Sequence, residues 1–348
     1  MRGIGRWIKR LALCLLALVL ILGASVGYVE LGCRGTAGTA SYQPVLPTEA
    51  HRPENRTLMT YPEWHIVHAY DDYAEVIRTG DPHDYGFFRA IGGFWSSLCD
   101  LKTQAAAHGG VDGGTKQMVY VIGVSFTAEL AFKAAYEETL GRLATLLRGS
   151  ERSPLDDVSA QQAADYARFL QQVPWYKWDF NRDAAALQSR GGLRDLERKL
   201  ALGLEYRAKA AYAGVIADAV AATAADALRL QMIVTGLSDD MMTRYGEVAL
   251  IERRAEGAVI ETPRYRALTL LMAQMAADGV QFVEIAGNDD ILLTLTSPQP
   301  ERDGALVSFR RQGYEDYRHL MMVNVSDLAT VLTQIAASGD RLEHIHDY

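Results

Sequence analysis

His65 and His68 are the residues of this sequence best placed to do chemistry. On a helix, at about 100° per residue, His65, His68, Asp72 and Glu75 share one narrow arc. Two imidazoles and a carboxylate on one face are part of a ligand set for Zn²⁺ or Fe²⁺ with open positions, and Glu75 would handle protons. A second pair, His344 and His346, lies in the segment EHIHDY. Alternate residues of a strand point the same way, so this pair is also a candidate chelate. One helical turn supplies only one edge of a coordination sphere. A metal held by His65, His68 and Asp72 therefore needs His344 or His346 to reach it from elsewhere. Both pairs have a plainer explanation. Ile66, Val67, Tyr70, Tyr73, Ala74 and Ile77 occupy the opposite arc, so the first pair would simply belong to the polar face of an amphipathic helix. The second would be the solvent side of a strand.

Other signatures are missing or incomplete. There is no Walker A loop, no H-E-x-x-H and no G-x-G-x-x-G after a strand. Ser125 in GVSFT lacks the second glycine of a nucleophile elbow. Asn55-Arg56-Thr57 fits a glycosylation sequon, which carries meaning only in a eukaryotic secretory setting. Tyr61, Trp64, Phe87, Phe88, Phe94, Trp95, Trp175 and Trp178 are candidates to line an apolar ligand pocket, although aromatics at helical spacing more often build a core. Nothing specifies a cofactor. With 35 Lys+Arg against 43 Asp+Glu, the 348 residues carry a net charge of -8, which argues against a nucleic-acid partner. A hydrophobic share of 49% and a charged share of 22% are ordinary globular values. The 3 cysteines exclude a disulfide-rich mini-scaffold and a four-cysteine zinc site.

The elements that must position these residues fall into four parts: a cytoplasmic tip and transmembrane anchor (1–30), a linker (31–56), a mainly helical region (57–229) and an α+β sheet unit (230–348). Arg2, Arg6, Lys9 and Arg10 precede the uncharged run Leu11–Val29, about 19 residues long, close to the ~20 a helix needs to span a bilayer. Trp7 and Tyr28 flank it at interface positions, and the one-sided basic cluster places Met1 in the cytoplasm. The rest is then periplasmic, on a bacterial inner membrane crossed once. Cleavage after Gly23, Ala24, Ser25 or Gly27 is the competing reading, and lipidation of Cys33 a third, which Glu30 at the position of the usual leucine disfavours. Cys33 and Cys99 share that oxidising compartment, so a disulfide between them is chemically allowed, while two unpaired thiols are the simpler expectation.

Thr60 and Glu63 read as a capping box opening a helix that runs to Thr79. Phe88 to Leu101 has the stripe of a second helix. A third, over 115–147, opens with a stretch, Met118–Phe126, apolar enough for membrane contact. It reads as a core helix in preference to a second membrane span, with Glu129 and Lys133 paired one turn apart. Ser159 and Gln162 read as another cap, Trp175–Phe180 as an extended packing segment, and 193–228 as a long helix. The pattern then changes to short strands at 247–251, 280–285, 291–296, 306–309, 320–325 and 342–346. Helices at 262–279 and 326–339 lie among them, and Gly287–Asp290 reads as a hairpin turn. The order matches an α+β, ferredoxin-like (split βαβ) antiparallel unit, with no internal repeat evident.

TYPEW at 60–64, IGGFWSSLCDL at 91–101, SFTAELAFKAAYEETLGRL at 125–143 and VPWYKWDF at 173–180 resemble an uncharacterised group of bacterial single-pass membrane-anchored proteins. So do PRYRALTLLM and GVQFVEIAGNDDILLTL further on. The resemblance implies one architectural unit after the linker and attaches no activity or ligand. The functional expectation is therefore a membrane-anchored periplasmic binding or assembly protein without catalytic activity, meeting a membrane-complex partner or an apolar ligand. The alternative is a periplasmic metal-dependent hydrolase or oxidase using His65 and His68.

Overall fold

The computed structural model describes residues 19–20, 22–38, 42–149, 151–188, 191–221 and 228–348. Residues 11–18 and 21 of the run expected to cross a membrane lie outside them, and residues 22–32 are helical. Helices then dominate: α1 (Arg56–Thr79), α2 (Phe87–Ala105), α3 (Gly113–Tyr136) running through a π turn (Glu137–Gly141) into α4 (Arg142–Arg148), α5 (Pro154–Leu170), α6 (Phe180–Ala186) and α7 (Leu193–Ala221).

Several of these starts differ from the sequence reading, each for a local reason. α1 begins a turn before Thr60, whose hydroxyl bonds back to the Thr57 carbonyl instead of capping. Pro62 sits inside the helix and costs the Leu58 carbonyl its intrahelical partner. The cap of α5 is Ser153, with Pro154 at N1 and Asp156 closing the capping box, so Ser159 lies within the helix. Trp175–Lys177 is a 3₁₀ turn rather than extended chain, and Asp179 caps α6 by accepting from the Arg182 amide. Glu129 and Lys133 do not pair with each other; both reach across to α7, to Lys209 and Glu205 respectively.

The sheet-bearing part holds β1 (Arg229–Thr235), α8 (Asp239–Arg244), β2 (Ala249–Arg254), β3 (Gly257–Pro263), α9 (Tyr265–Ala277), β4 (Gln281–Ile285), β5 (Asp290–Ser297), β6 (Ala305–Arg310), β7 (Tyr317–Asn324), α10 (Leu328–Ser338) and β8 (Arg341–His346). They form two 4-stranded sheets, ordered β2-β3-β1-β4 and β6-β7-β5-β8, with every neighbouring pair antiparallel. Counting strands from β1 in one sheet and β5 in the other, the order is the same. The molecule therefore repeats a topology that the sequence does not display as a repeat. The turn at Gly287–Asp290 is not a hairpin, because β4 and β5 belong to different sheets. The Ala286 amide bonds to the Gln231 carbonyl and the Val325 amide to the Asp289 carbonyl, so each end of the turn is claimed by its own sheet. Thr262-Pro263 ends β3 instead of opening a helix, and the Thr262 hydroxyl bonds across to the Leu230 carbonyl.

One core lies between the two sheets and the helices α9 and α10, where Met232, Ile260, Met272, Leu293 and Ile345 are fully buried. The opposite face of the second sheet, through Leu292 and Leu320, packs on α1, α2 and α3. Being covered on both faces, β5 is buried along almost its whole length, which explains why Leu292 on one face and Ile291, Leu293 and Leu295 on the other are all apolar. Residues 31–38 and 42–56 run along this assembly. Cys33 is disulfide-bonded to Cys99, against the simpler expectation of free thiols. A side-chain carbon at Gly35 would meet the Thr103 carbonyl, so only glycine permits that approach to α2. Further on, the Val45 and Leu46 amides and the Tyr42 hydroxyl all donate to the Glu284 carboxylate of β4.

Candidate functional site

The two histidine pairs meet in the seam between α1 and the second sheet. Thr57 fixes this seam: its hydroxyl accepts from the Leu292 amide (2.9 Å) and donates to the His346 carbonyl (2.5 Å), two residues paired opposite each other on β5 and β8. Neither pair faces water. His65 and His68 are 6% and 5% exposed and Asp72 6%, while His344 and His346 are fully buried, so the polar-face explanation fails for both. Glu75 is outside the seam, at the surface and paired with Arg78.

His65 donates from Nε2 to the Ala90 carbonyl (3.0 Å), with Nδ1 3.5 Å from the Tyr61 hydroxyl and the rings of Phe94, Phe126 and Phe309 around it. A carbon added at Gly93 would come within 3.0 Å of this imidazole, so α2 needs glycine there to approach α1. Burial pushes the His65 imidazole down to about 4, which keeps it neutral. His344 lies flat against Trp64, with ring centroids 3.3 Å apart, and its Nδ1 is 2.9 Å from the Thr269 hydroxyl on α9. The His346 ring stands perpendicular to it at 4.8 Å. Burial lowers both, His346 to about 3. The Nε2 atoms of His68, His344 and His346 are buried without a hydrogen-bond partner. His68 Nε2 is 3.5 Å from a Glu343 oxygen; burial, then Arg318, holds this ring neutral too, so the contact is not an ion pair.

Around the imidazoles lies a charge network that sequence reasoning missed. Arg318 of β7 grips Glu343 through both its Nε and Nη2. Asp72 accepts from the Gln312 amide at 3.0 Å and stands 3.6 Å from Arg311 and 3.8 Å from Arg318. Arg311 is bonded in turn to Asp71 and Asp316. Burial raises the Asp72 carboxyl to about 6; it opposes ionisation of Glu343 as well, but there Arg318 outweighs it and the pKa falls. Strand alternation would turn Glu343 away from His344. The register, however, pairs His344 with Thr294 and Leu342 with Leu295, leaving Glu343 as the extra residue of a β-bulge. The bulge re-aims its carboxylate into the seam. A bulge has no reliable mark in a single sequence.

Two further clusters are built from distant segments. Glu54, His108 and Asp290 bring one ligand atom each within 4.8 Å of the others, joining the start of α1, the α2–α3 loop and the first residue of β5. A His108–Glu54 contact of 2.7 Å already closes this group, and that bond raises the His108 pKa. Between α1, α3, α5 and α7, Lys209 lies 2.7 Å from Glu129 and 3.0 Å from Glu205, while Lys133 lies 3.2 Å from Glu205. Burial opposes ionisation here, but the two lysines hold Glu205 down at about 2. A cavity of about 30 Å³ beside them has room for a water or so. The aromatics expected to share a pocket are dispersed. Tyr61, Trp64, Phe94 and Trp95 are core, Phe88 is 69% exposed, and Trp175 and Trp178 pack in a separate cluster.

These elements define an α+β protein with two antiparallel sheets and a helical layer. Comparison with protein-family models, curated proteins and solved structures finds no match to the chain.

Proposed function

We propose that the protein is a membrane-anchored periplasmic binding or assembly module without catalytic activity, held on a bacterial inner membrane by its N-terminal helix. The observation that carries this reading is how the helix over 22–32 is fastened to the rest. Cys33, just past its end, is bonded to Cys99, and Glu30 takes the Tyr120 hydroxyl and the ammonium groups of Lys102 (3.3 Å) and Lys116 (3.6 Å). A disulfide beside the apolar run fits an oxidising compartment. A clamped helix end suits an anchor that sets the domain at a fixed distance from a bilayer. The seam supports the non-enzymatic side, since its charges close on one another instead of facing a substrate-sized cleft, which would measure roughly 300 Å³ or more. We read each sheet as a split βαβ, ferredoxin-like unit, the second with its first crossover helix replaced by residues 298–304. Reporter fusions after Tyr348 should give a periplasmic signal, and a cytoplasmic signal would reverse the reading. Co-purification in mild detergent should bring down a partner or bound lipid.

One observation favours the metalloenzyme reading as second choice: the two histidine pairs converge, and three of their Nε2 atoms lack partners. In that reading His68, with His344 or His346, closes on a transition metal, and His65 and Asp72 stand behind. The closure requires a movement, because no three ligand atoms of this group lie within 4.8 Å of one another. Protein purified without chelators would then carry a stoichiometric metal that His344→Ala removes. Metal-free protein would end this alternative.

A further inference from the structure

Among the described residues, the helical layer leaves a long apolar surface uncovered. The rod formed by α3, the π turn and α4 runs 36 residues, about 54 Å at ~1.5 Å per residue. One stripe of it packs inward through Val119, Phe126, Leu130 and Ala134. The outward stripe carries Met118, Val121, Phe132, Leu143 and Leu146, the last 80% exposed. The outward charges beside this stripe, Glu138 and Arg142, pair with each other. α4 packs beside α7, which turns out Leu196, Leu200, Leu204 and Val215, spaced to lie on one face of its helix. The acids of this part of α7 face inward, Glu197 to Arg194 and Arg198, and Glu205 to Lys133 and Lys209. The charged side chains left outward beside its leucines are Lys199 and Arg207. Together they make an apolar face with a cationic border, far beyond the scattered exposed leucines of an ordinary surface.

The rod begins at the anchor. Lys116 and Tyr120, in its second and third turns, hold Glu30 at the end of the helix over 22–32. We propose that this face lies in the bilayer interface, its leucines in the acyl boundary and Lys199 and Arg207 on anionic headgroups. The inference rests on the anchoring reading above and names the partner of that same assembly. Continuity with the anchor, the lack of unpaired charge on the rod stripe and the sign of the α7 border select lipid over a second copy of the chain.

The test uses the full chain with Cys14→Ser, reconstituted in nanodiscs of phosphatidylcholine with or without phosphatidylglycerol. Nitroxide labels are placed singly at Phe132→Cys, Leu146→Cys, Leu200→Cys and, as a control on β2, Leu250→Cys. The first three should collide more with oxygen than with a water-soluble nickel complex, and the control should show the reverse. Phosphatidylglycerol should deepen the label at Leu200, and K199Q/R207Q should abolish that deepening. Water-like collisions at all sites, with the protein still retained by the disc after an alkaline wash, would overturn the proposal while sparing the anchor. Release by the wash would instead defeat the anchoring reading. Spin–spin broadening at Leu200 would assign the face to a second copy and overturn the lipid assignment.

Discussion

A neutral imidazole kept from water makes folding sensitive to acid. His65 and His346 have folded-state pKa values of about 4 and about 3, below the 6.5 of a free histidine. Above pH 6.5 neither state binds a proton at these sites, so their contribution to stability is intact. As pH falls below 6.5 the unfolded chain takes up protons that the folded one refuses, and stability drops until the folded value is reached. For His65 the loss is up to roughly 3 kcal/mol, at ~1.4 kcal/mol per pKa unit. Asp72 acts in the opposite sense. Its folded value of about 6 lies above the ordinary 3.8, so it favours the folded state below that window and ceases to as pH rises through 6. Urea midpoints at pH 7 and pH 5 should show the wild type losing stability on acidification. His65→Gln should be less stable at pH 7 but clearly less pH-dependent, and an unchanged slope would mean this imidazole is not the proton-refusing group. The histidines themselves were legible as candidates because type and spacing mark them. Arg311, Arg318 and Glu343 were not, since an arginine on a strand gives no sign of the carboxylate it will meet or of the bulge that brings it.

At the scale of elements, the sequence located most helices, some to within two residues of their starts at Phe87, Gly113 and Leu193, and misplaced the starts of others. Thr60, Ser159 and Thr262 all have capping chemistry, yet the hydroxyls of Thr60 and Ser159 bond back to carbonyls within their own helices and Thr262 bonds across a sheet. Side-chain hydroxyls have several local partners to choose from, and packing chooses among them. β1 and β3 were missed because strands buried in a sheet centre lose the alternation that betrays a half-exposed strand. The shared compartment allowed the disulfide but could not select it, for spacing says nothing of where two cysteines lie. Its bridge closes 66 residues, and the chain-entropy estimate for such a loop is about 4 kcal/mol. Cys33→Ser with Cys99→Ser should therefore lower the urea midpoint markedly and free the 22–32 helix from α2. Limited proteolysis should then cut within 34–56 faster than in the bridged protein. Equal stability and equal cleavage would show that the Glu30 contacts alone hold the helix.

At the scale of the molecule, the switch from helical periodicity to short strands divides the sequence near residue 230, and among the described residues the first strand begins at Arg229. What that pattern could not convey is that the two parts share a core. Leu292 and Leu320 of the second sheet belong to the same buried cluster as Leu58, Tyr61, Phe94 and Leu98 of α1 and α2. The Thr57 hydroxyl stands between β5 and β8 at that boundary, and Arg318, on the sheet, lies within 3.8 Å of Asp72 on α1. Separating the parts would expose apolar area and strand a buried arginine and carboxylate, a cost of several kcal/mol. Helices and sheet should therefore unfold together. The sequence offers a probe, because Trp7, Trp64, Trp95, Trp175 and Trp178 all precede the sheet. Tryptophan fluorescence thus follows the helical part, and through Trp64, stacked on His344, the seam as well, while amide exchange of β5 and β7 follows the sheet. Their transitions in urea should coincide. Thr57→Val leaves the Leu292 amide and the His346 carbonyl without that hydroxyl, at ~1–3 kcal/mol for each buried group left unsatisfied. It should shift both probes by the same amount. A variant in which fluorescence moves and β5 protection does not would mean that the sheet holds without the helices, and that the seam is an interface between two folding units.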